Sequence, residues 1–286
     1  MNRKKHAYLI LAHNNFYILE KLLKSLDDSR NDIYIHIDKK VNNFYFEYFS
    51  KILDKSKVFY VDRYDIKWGR YSLIKAELEL FKSAVSNRYE YYHLLSGVDL
   101  PLKSQDYIHN FFEKNAGTEF ITCATKEFIK RQNIKERYSL YYVENKFIMK
   151  LQRKLKINRY NDDFEIGYGS NWCSLTHDAI TYILDNEKWI EKKFKYSTCC
   201  DEVYKQTLLL NSKFKEGIYY NPVNENTISF NMRFIKWIGG SHPYVWRISN
   251  YNELLKSDCL FARKFDCNID KDIVDKVYKN LNKMGE

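Results

Sequence analysis

The sequence has little proline and no long apolar run. Only 3 of its 286 residues are proline, and it has no low-complexity linker and no internal repeat, which argues against a hinge-rich multidomain protein. The sequence contains no run of 18 apolar residues, the length needed to span a membrane. The apolar run at residues 7–12 is too short for the core of a secretion signal. A chain of this length can bury a substantial core, so we expect a single domain over residues 1–286.

The six cysteines show no spacing typical of a metal site. Two of them, Cys199 and Cys200, are adjacent and could not bond to each other without strain. The pattern favours free thiols, as in a reducing, cytosolic compartment.

The chain carries a formal charge of +10 together with 25 Tyr and 18 Phe. Basic and aromatic residues in combination suit nucleic acid, an anionic membrane surface or a phosphate-bearing sugar donor. The Lys and Arg are scattered, and no RNP, zinc-finger or helix-turn-helix signature is present. These features argue against nucleic acid and leave a membrane surface and a nucleotide-sugar as candidate partners.

Short apolar runs alternate with segments of helical periodicity in the first half of the chain. Strands are predicted at 7–12, 32–38, 57–61, 91–95 and 118–123, and helices at 17–26 and 71–86. This alternation predicts an α/β fold with a mostly parallel central sheet covered by helices. Ligand sites in such sheets lie beyond the carboxyl ends of the strands, where this chain has His13, Asp38 and Asp99.

Residues 126–163 differ from the rest of the chain because they are rich in Lys, Arg, Tyr and Asn. Within them, residues 147–155 form a basic amphipathic stretch. Such a segment is either a solvated helix or insertion, or a surface that contacts an acceptor or a membrane. Strand character returns at residues 169–176. We expect 126–163 to be a basic insert on the acceptor side of a site.

A second helix start is predicted near residue 197. Thr198 and Asp201 have the spacing of a capping box, and an apolar face follows them. Glu202 lies about 100° round the helix from Val203, where a carboxylate at the edge of a cleft could serve as a general base. Alternatively, both acids only complement the positive end of the helix dipole.

Six motifs in chain order resemble those of glycosyltransferase family 14, the core-2/I-branching enzymes, in a bacterial-type member. They span residues 6–267, and they are Trp68-Gly-Arg-Tyr-Ser-Leu-Ile-Lys-Ala-Glu-Leu78, Leu95-Ser-Gly-Val-Asp-Leu-Pro-Leu-Lys103, Gly169-Ser-Asn-Trp172, Asp201-Glu202, Arg233-Phe-Ile-Lys-Trp237 and Phe261-Ala-Arg-Lys-Phe-Asp266. The resemblance implies a GT-A-type, Rossmann-like fold and an inverting transfer from a UDP-sugar. β-1,6-N-acetylglucosaminyl transfer is typical of the family, and xylosyl transfer is known among its relatives.

The resemblance also implies a mechanism without a metal or other cofactor, the UDP-sugar being a co-substrate. Glu202 occupies the position of the family's catalytic base. Lys264 and Arg247 match the cations that stabilise the departing diphosphate, and Arg233 is the alternative Arg for that role. An Asp-x-Asp triplet, which holds the metal in other GT-A enzymes, is missing at the strand ends.

The remaining candidate residues would line the donor and acceptor pockets. Those expected on the donor side are Asp38 at the uridine, His13, Gly169 and Ser170. Those expected on the substrate side are Trp237, Asp99 and Trp172. Each has a structural alternative: a loop or capping role for Asp38 and Asp99, and a core role for the tryptophans.

The expected function is transfer of GlcNAc from UDP-GlcNAc to a hydroxyl of a glycan or lipid-linked glycan, as in polysaccharide biosynthesis. The alternatives are a transferase, metal-dependent in one version, that uses UDP-xylose or a UDP-hexose such as UDP-galactose, and a carbohydrate-binding protein that keeps the shell without turnover. We expect a cytoplasmic protein, with peripheral contact at an anionic inner-membrane face as a further possibility. The acceptor, the linkage and the oligomeric state are left open by the sequence.

Overall fold

The computed structural model describes residues 5–160, 164–220, 230–239 and 242–284. Its strands are β1 His6–Ala12, β2 Asn31–Ile37, β3 Lys57–Tyr60, β4 Tyr91–Ser96, β5 Leu100–Pro101, β6 Ser174–Thr176, β7 Arg233–Ile235 and β8 Phe261–Arg263. They form a five-stranded sheet in the order β3-β2-β1-β4-β6 and a small sheet in the order β5-β8-β7.

Helices lie between most of these strands. They are α1 Phe16–Leu26, α2 Phe46–Lys51, α3 Tyr71–Val85, α4 Gln105–Lys114, α5 Lys126–Arg131, α6 Lys135–Ser139, α7 Lys146–Lys154, α8 His177–Asp185, α9 Glu187–Phe194, α10 Tyr204–Leu210, α11 Tyr251–Leu255 and α12 Lys271–Met284. In the described part of the chain, no helix is both long enough and apolar enough to cross a bilayer.

The predicted α/β fold with a mostly parallel central sheet is confirmed. Strands β1 to β4 are parallel, and β6 adds an antiparallel edge to β4. The order 3-2-1-4 is that of a Rossmann-like half, in which the order of the strands reverses between β1 and β4. A ligand crevice is expected at that point, beyond Ala12 and Ser96.

Helices cover both faces of the large sheet because its strands are apolar on both sides. Successive residues of β1 point to opposite faces, so Tyr8 and Ile10 enter one core and Leu9 the other. The first core includes apolar residues of α1 and α12, and the second includes those of α3 and α8. All seven residues of β1 are buried, as expected for a central parallel strand.

The predicted fifth strand at 118–123 is wrong. In this described segment, Glu119 and Phe120 make only isolated bridges, with Ile218 and Ser174 respectively. The place beside β4 is instead taken by β6, which pairs through Ser174 to Thr176. Phe120 and Ile121 are fully buried all the same, which explains why the pattern of this segment resembles that of a strand.

The predicted helix start near residue 197 is also wrong. Residues Cys200–Glu202 form a short 3₁₀ helix, and α10 begins only at Tyr204 without a side-chain cap. The preceding Cys199 has a left-handed backbone, with φ of 48°, so the chain turns sharply before the two acids. Thr198 and Asp201 therefore form no capping box.

All six cysteines lie in the described residues and are free, as predicted. The predicted insert corresponds to α5, α6 and α7 and their connections, and its last three residues, 161–163, lie outside the described residues.

Candidate active site

Polar side chains converge beyond the carboxyl ends of β1, β2 and β8. His13 follows β1, Asp38 follows β2, and Arg263 and Lys264 lie at the end of β8. These charges are close enough together to affect the pKa of His13. Although the His13 ring is solvent-exposed, partial desolvation by the surrounding protein lowers its pKa, Asp38 opposes that effect, and Lys264 and Arg263 add to it. The crevice expected from the strand order is therefore lined mainly by cations.

Asp38 is buried and contributes to its own turn. One carboxylate oxygen accepts the backbone N–H of Lys40 at 2.9 Å, and the other lies 3.4 Å from Lys40 Nζ. Arg63 donates to the Asp38 carbonyl at 2.7 Å. The loop role considered for Asp38 is thus present, and a contact with uridine stays a prediction.

The predicted diphosphate cations Lys264 and Arg247 lie in adjoining segments. The backbone N–H of Trp246 donates to the Lys264 carbonyl at 3.1 Å, and the next residue, Arg247, is exposed. Trp237 lies in the same part of the fold, because the Tyr244 N–H donates to the Lys236 carbonyl at 2.8 Å. Trp237 is 47% exposed, so a sugar could stack on its ring.

Arg263 is a further cation that the sequence analysis did not single out. Its guanidinium carbon lies 4.2 Å from the ring centre of Trp172, and Nη1 donates to Asp99 at 3.1 Å. Asp99 is fully buried and also accepts the Ser96 N–H at 2.9 Å. This burial corrects the expectation that Asp99 contacts a substrate, because both of its partners are protein groups. Trp172 likewise supports Arg263.

Arg233 is buried within the protein, which corrects the expectation that it contacts the diphosphate. Its guanidinium donates to Ser174 Oγ at 2.8 Å and to the Cys173 carbonyl at 2.6 Å. Burial lowers the pKa of Arg233 to about 10, so it remains protonated at neutral pH. Its exposed fraction is 1%, so no side of it is open to a ligand. Its bonds connect β7 to β6 of the large sheet.

The loop from Gly169 to Trp172 connects the cations at the end of β8, Arg263 and Lys264, to Glu202. The Gly169 N–H donates to the Glu202 carbonyl at 2.9 Å, and Trp172 at the other end packs on Arg263. Gln206 donates to the Ser170 carbonyl at 2.8 Å. Three Cα–Cα steps span at most about 11 Å, so the backbone of Glu202 and the guanidinium of Arg263 lie in neighbouring parts of the fold.

Gly169 is required by the protein itself. A Cβ at this position would lie 1.8 Å from the carbonyl oxygen of Thr122. Close backbone packing on the adjacent segment accounts for this glycine, and its expected place on the donor side stays a prediction.

The Glu202 carboxylate is paired with a cation from the basic insert. Arg137 of α6 donates to it from Nη1 at 2.8 Å, and the two side chains are 31% and 32% exposed. The Arg137 guanidinium carbon also lies 5.3 Å from the ring centre of Tyr168. Burial, and then the charge of Glu202, raise the pKa of Tyr168 to about 12. Glu202 is thus fixed at one side and accessible at the other.

A buried ion pair supports the segment that carries Glu202. Lys205 Nζ lies 2.6 Å from Glu77 of α3, and both side chains are fully buried. The same ammonium donates to Asn171 Oδ1 at 2.5 Å and to the Asp201 carbonyl at 3.2 Å. Tyr204 donates its hydroxyl to Glu77 at 2.8 Å. The Lys205–Glu77 pair therefore holds the loop at 169–172 and the 3₁₀ helix at 200–202 together.

Comparison with known proteins identifies the relatives of this chain. A family model described as Core-2/I-Branching enzyme matches residues 6–256. The chain belongs to the Core-2/I-Branching enzyme family. This confirms the family predicted from the six motifs, and together with the strand order it assigns the fold to the GT-A type.

Two relatives show the range of donors within this glycosyltransferase family. "Xylosyltransferase sqv-6" of Caenorhabditis briggsae is 24% identical over 90% of this chain and 34% of its own length. "Beta-1,3-galactosyl-O-glycosyl-glycoprotein beta-1,6-N-acetylglucosaminyltransferase 4" of Danio rerio is 21% identical over 94% of this chain and 67% of its own length. The chain spans about a third of the xylosyltransferases that it matches. Relatives named for xylosyl and for N-acetylglucosaminyl transfer are about equally similar.

Among solved structures, the apo form of mouse xyloside xylosyltransferase 1 aligns with 92% of this chain and 98% of its own, at 10% identity and a TM-score of 0.39. That likeness is too low to add to the fold assignment.

Removing the buried cation of this Core-2/I-Branching family member should destabilise it strongly. Lys205→Met leaves the Glu77 carboxylate buried without its cation. We therefore expect the free energy of unfolding to fall by about 3–5 kcal/mol. Urea denaturation measures it. The control is Lys82→Met, also on an ion pair of α3 but with partners 44% and 39% exposed, where we expect at most about 1 kcal/mol. Equal losses in the two variants would contradict a stabilising role for the buried pair.

Asp201, which precedes Glu202, has an unusual environment for an acid. Burial is the largest cause that raises the pKa of Asp201 to about 7, the negative charges of Glu202 and Glu77 add to it, and Lys205 opposes it. A carboxyl with a raised pKa favours the protonated form in the folded state. Its contribution to stability is therefore lost as the pH rises from about 4, where the unfolded Asp ionises, to about 7.

Asp201→Asn should consequently gain stability relative to the parent chain as the pH rises. Between pH 5 and pH 8 we expect a relative gain of about 1–2 kcal/mol in the free energy of unfolding, since the side chain is only partly buried. Denaturation curves at the two pH values measure this gain. The exposed Asp54→Asn variant serves as the control. A loss of about 1 kcal/mol at both pH values would instead indicate the helix-capping role that the sequence predicted.

Proposed function

We propose that this protein is an inverting glycosyltransferase that moves a sugar from a UDP-sugar to a hydroxyl of a glycan acceptor. The observation that carries the proposal is the loop at 169–172, which contacts the backbone of the partly exposed Glu202 at one end and the cation Arg263 at the other. An inverting transfer needs these two elements: a base for the acceptor hydroxyl and positive charge for the leaving diphosphate.

Glu202 would act as the general base. It would take the proton of the acceptor hydroxyl while the hydroxyl oxygen attacks C1 of the sugar and the bond from C1 to the diphosphate oxygen breaks. Arg137 donates to one oxygen of the carboxylate at 2.8 Å, which fixes the position of the side chain. Arg137 is thus proposed as a positioning residue, contributed by the insert that we expect on the acceptor side.

Lys264, Arg263 and Arg247 would stabilise the negative charge that gathers on the departing UDP. Arg263 is already oriented by Asp99 and Trp172, so its guanidinium is fixed before the donor arrives. Lys264 is only half-buried, and its ammonium can move to a phosphate oxygen as a point charge. Among the described residues, no three His, Cys, Asp or Glu side chains are grouped closely enough to hold a metal ion.

The donor proposed first is UDP-GlcNAc, with UDP-xylose as an equally supported alternative. The test is a screen of UDP-sugars for UDP release in the presence of glycan acceptors, with and without EDTA. Release from one donor that persists in EDTA supports the proposal. Binding of glycan without UDP release from any donor would favour the non-catalytic alternative. The cytoplasmic location stays a prediction.

UDP should bind without added metal. Isothermal titration calorimetry of the protein with UDP in EDTA is expected to give the same affinity, within about threefold, as in Mg²⁺ or Mn²⁺, because protein cations take the place of the metal at the diphosphate. Uridine, which lacks the diphosphate, is the control and should bind at least about tenfold more weakly. Binding that appears only with a divalent ion would contradict the metal-independent mechanism.

A further inference from the structure

Helix α7 is attached to the protein by polar groups. Its only buried side chain is Gln152, which donates to the Tyr141 carbonyl at 2.7 Å and accepts the Tyr141 N–H at 2.9 Å. Arg153 adds a two-pronged contact to Glu136 of α6, with distances of 3.0 to 3.2 Å. An amphipathic helix of a globular protein normally turns its apolar face inward, so α7 is inverted.

The apolar face of α7 points to solvent. Phe147, Leu151 and Leu155 follow one another at four-residue spacing, and Ile148 lies beside them on the same face. Their exposed fractions are 74% for Phe147, 42% for Ile148, 42% for Leu151 and 62% for Leu155. We call these four residues the α7 stripe. A contiguous exposed apolar surface of this kind marks an interaction site more often than isolated exposed side chains do.

A row of lysines runs along one edge of the α7 stripe. Lys146, Lys150 and Lys154 have the same four-residue spacing and are exposed. In the described part of the chain, none of the three is in an ion pair. Residues 145–156 contain five Lys or Arg and no Asp or Glu. Two exposed tyrosines lie close to α7 in the fold. Tyr141, whose backbone is bonded by Gln152, is 48% exposed and lies 6.0 Å, between ring centres, from Tyr196, which is 54% exposed.

We propose that the α7 stripe and its lysine row dock on the surface of an anionic lipid bilayer. Apolar side chains would enter the boundary between headgroups and acyl chains, and the lysines would lie at the level of the lipid phosphates. Tyrosines are suited to the same interface because they have an apolar ring and a polar hydroxyl. The outward apolar face of α7 is unfavourable in water, and the apolar region of the bilayer would cover it.

Charge distinguishes this partner from a second copy of the chain. Because residues 145–156 lack acidic side chains, antiparallel pairing of two stripes would bring lysine rows together, which costs free energy. A bilayer containing anionic lipid satisfies both the stripe and the lysines. Since Arg137, in the same insert, contacts Glu202, docking there would bring the candidate active site close to the membrane, where lipid-linked acceptors reside.

The test is co-sedimentation of the full chain with phosphatidylcholine vesicles that contain or lack phosphatidylglycerol. We expect binding that requires phosphatidylglycerol and weakens as salt is added. The double variant Phe147→Ser/Leu151→Ser should reduce the partition coefficient at least about tenfold, and Lys150→Glu/Lys154→Glu should do the same. These residues are exposed, so the thermal midpoint should stay within a few degrees of the parent value.

Matched controls are Ile269→Ser, at a residue 43% exposed, and Lys188→Glu, at an exposed lysine of α9; both should bind as the parent does, within about twofold. Equal binding by the stripe double variant and the parent, or binding unaffected by phosphatidylglycerol, would overturn the proposal. A concentration-dependent dimer that the stripe variant abolishes, seen by light scattering without vesicles, would overturn it in favour of self-association. The assay uses no donor sugar, so its result does not depend on the proposed enzymatic function.

Discussion

Glu202→Gln is expected to bind UDP as the parent chain does while its rate of sugar transfer falls by a factor of roughly 10²–10⁴. Glutamine keeps the shape of the side chain and can still accept a hydrogen bond from Arg137, but it cannot take a proton from the acceptor hydroxyl. The measurements are calorimetry with UDP and the initial rate of UDP release with the donor that the screen identifies.

Asp201→Asn, at the residue next to Glu202, is the variant with which Glu202→Gln should be compared. The Glu202 charge is one cause of the raised pKa of Asp201, so the Gln variant should also ionise Asp201 at a lower pH. If Asp201 were the base, Asp201→Asn would abolish transfer, and Glu202→Gln would retain activity with a pH profile shifted to lower pH. A Glu202→Gln variant within about threefold of the parent rate would therefore exclude Glu202 as the base.

The central sheet could be predicted from the sequence because its strands are buried on both faces. Continuous apolar runs such as residues 7–12 have no other stable place in a chain of this size. The segment at 118–123 shows the limit of that reasoning, because burial alone gives the same pattern. Whether a buried segment pairs as a strand depends on which segment occupies the sheet edge, and here Ser174 to Thr176 occupies the edge beside β4.

The candidate site was predictable only where a motif fixed a residue type. The motifs predict Glu202 and Lys264 as site residues, and their roles stay predictions. No motif points to Arg137, because it pairs with Glu202 across 65 positions of the chain. Arg263 lies inside a quoted motif beside Lys264, yet only the structure shows Trp172 and Asp99 orienting it. Arg233 gave the opposite error: a guanidinium suits a diphosphate, but here it holds backbone carbonyls. The positions of charged residues in a sequence do not reveal which of them are buried. The sequence therefore could not distinguish Arg263 from the buried Arg233.

Lys264→Ala is expected to lower kcat/KM by a factor on the order of 10² or more, because it removes a charge partner of the leaving diphosphate. The loss should fall mainly on kcat, since charge on the diphosphate grows as the bond to C1 breaks. Lys264 is half-buried at the end of β8, and its charge already affects His13 across the crevice. Steady-state rates of UDP release at several donor concentrations measure both parameters.

The matched control for Lys264→Ala is Lys271→Ala, at a nearby lysine that pairs with Asp275 at 2.6 Å on the exposed surface of α12. It should stay within about threefold of the parent in kcat/KM, and both variants should keep the parent's thermal midpoint within a few degrees. Arg247→Ala, measured in parallel, tests whether the exposed arginine shares the diphosphate with Lys264. If Lys264→Ala behaved like Lys271→Ala while Arg247→Ala lost activity by about 10², the diphosphate would lie against Arg247. Lys264 would then only line the crevice beside His13.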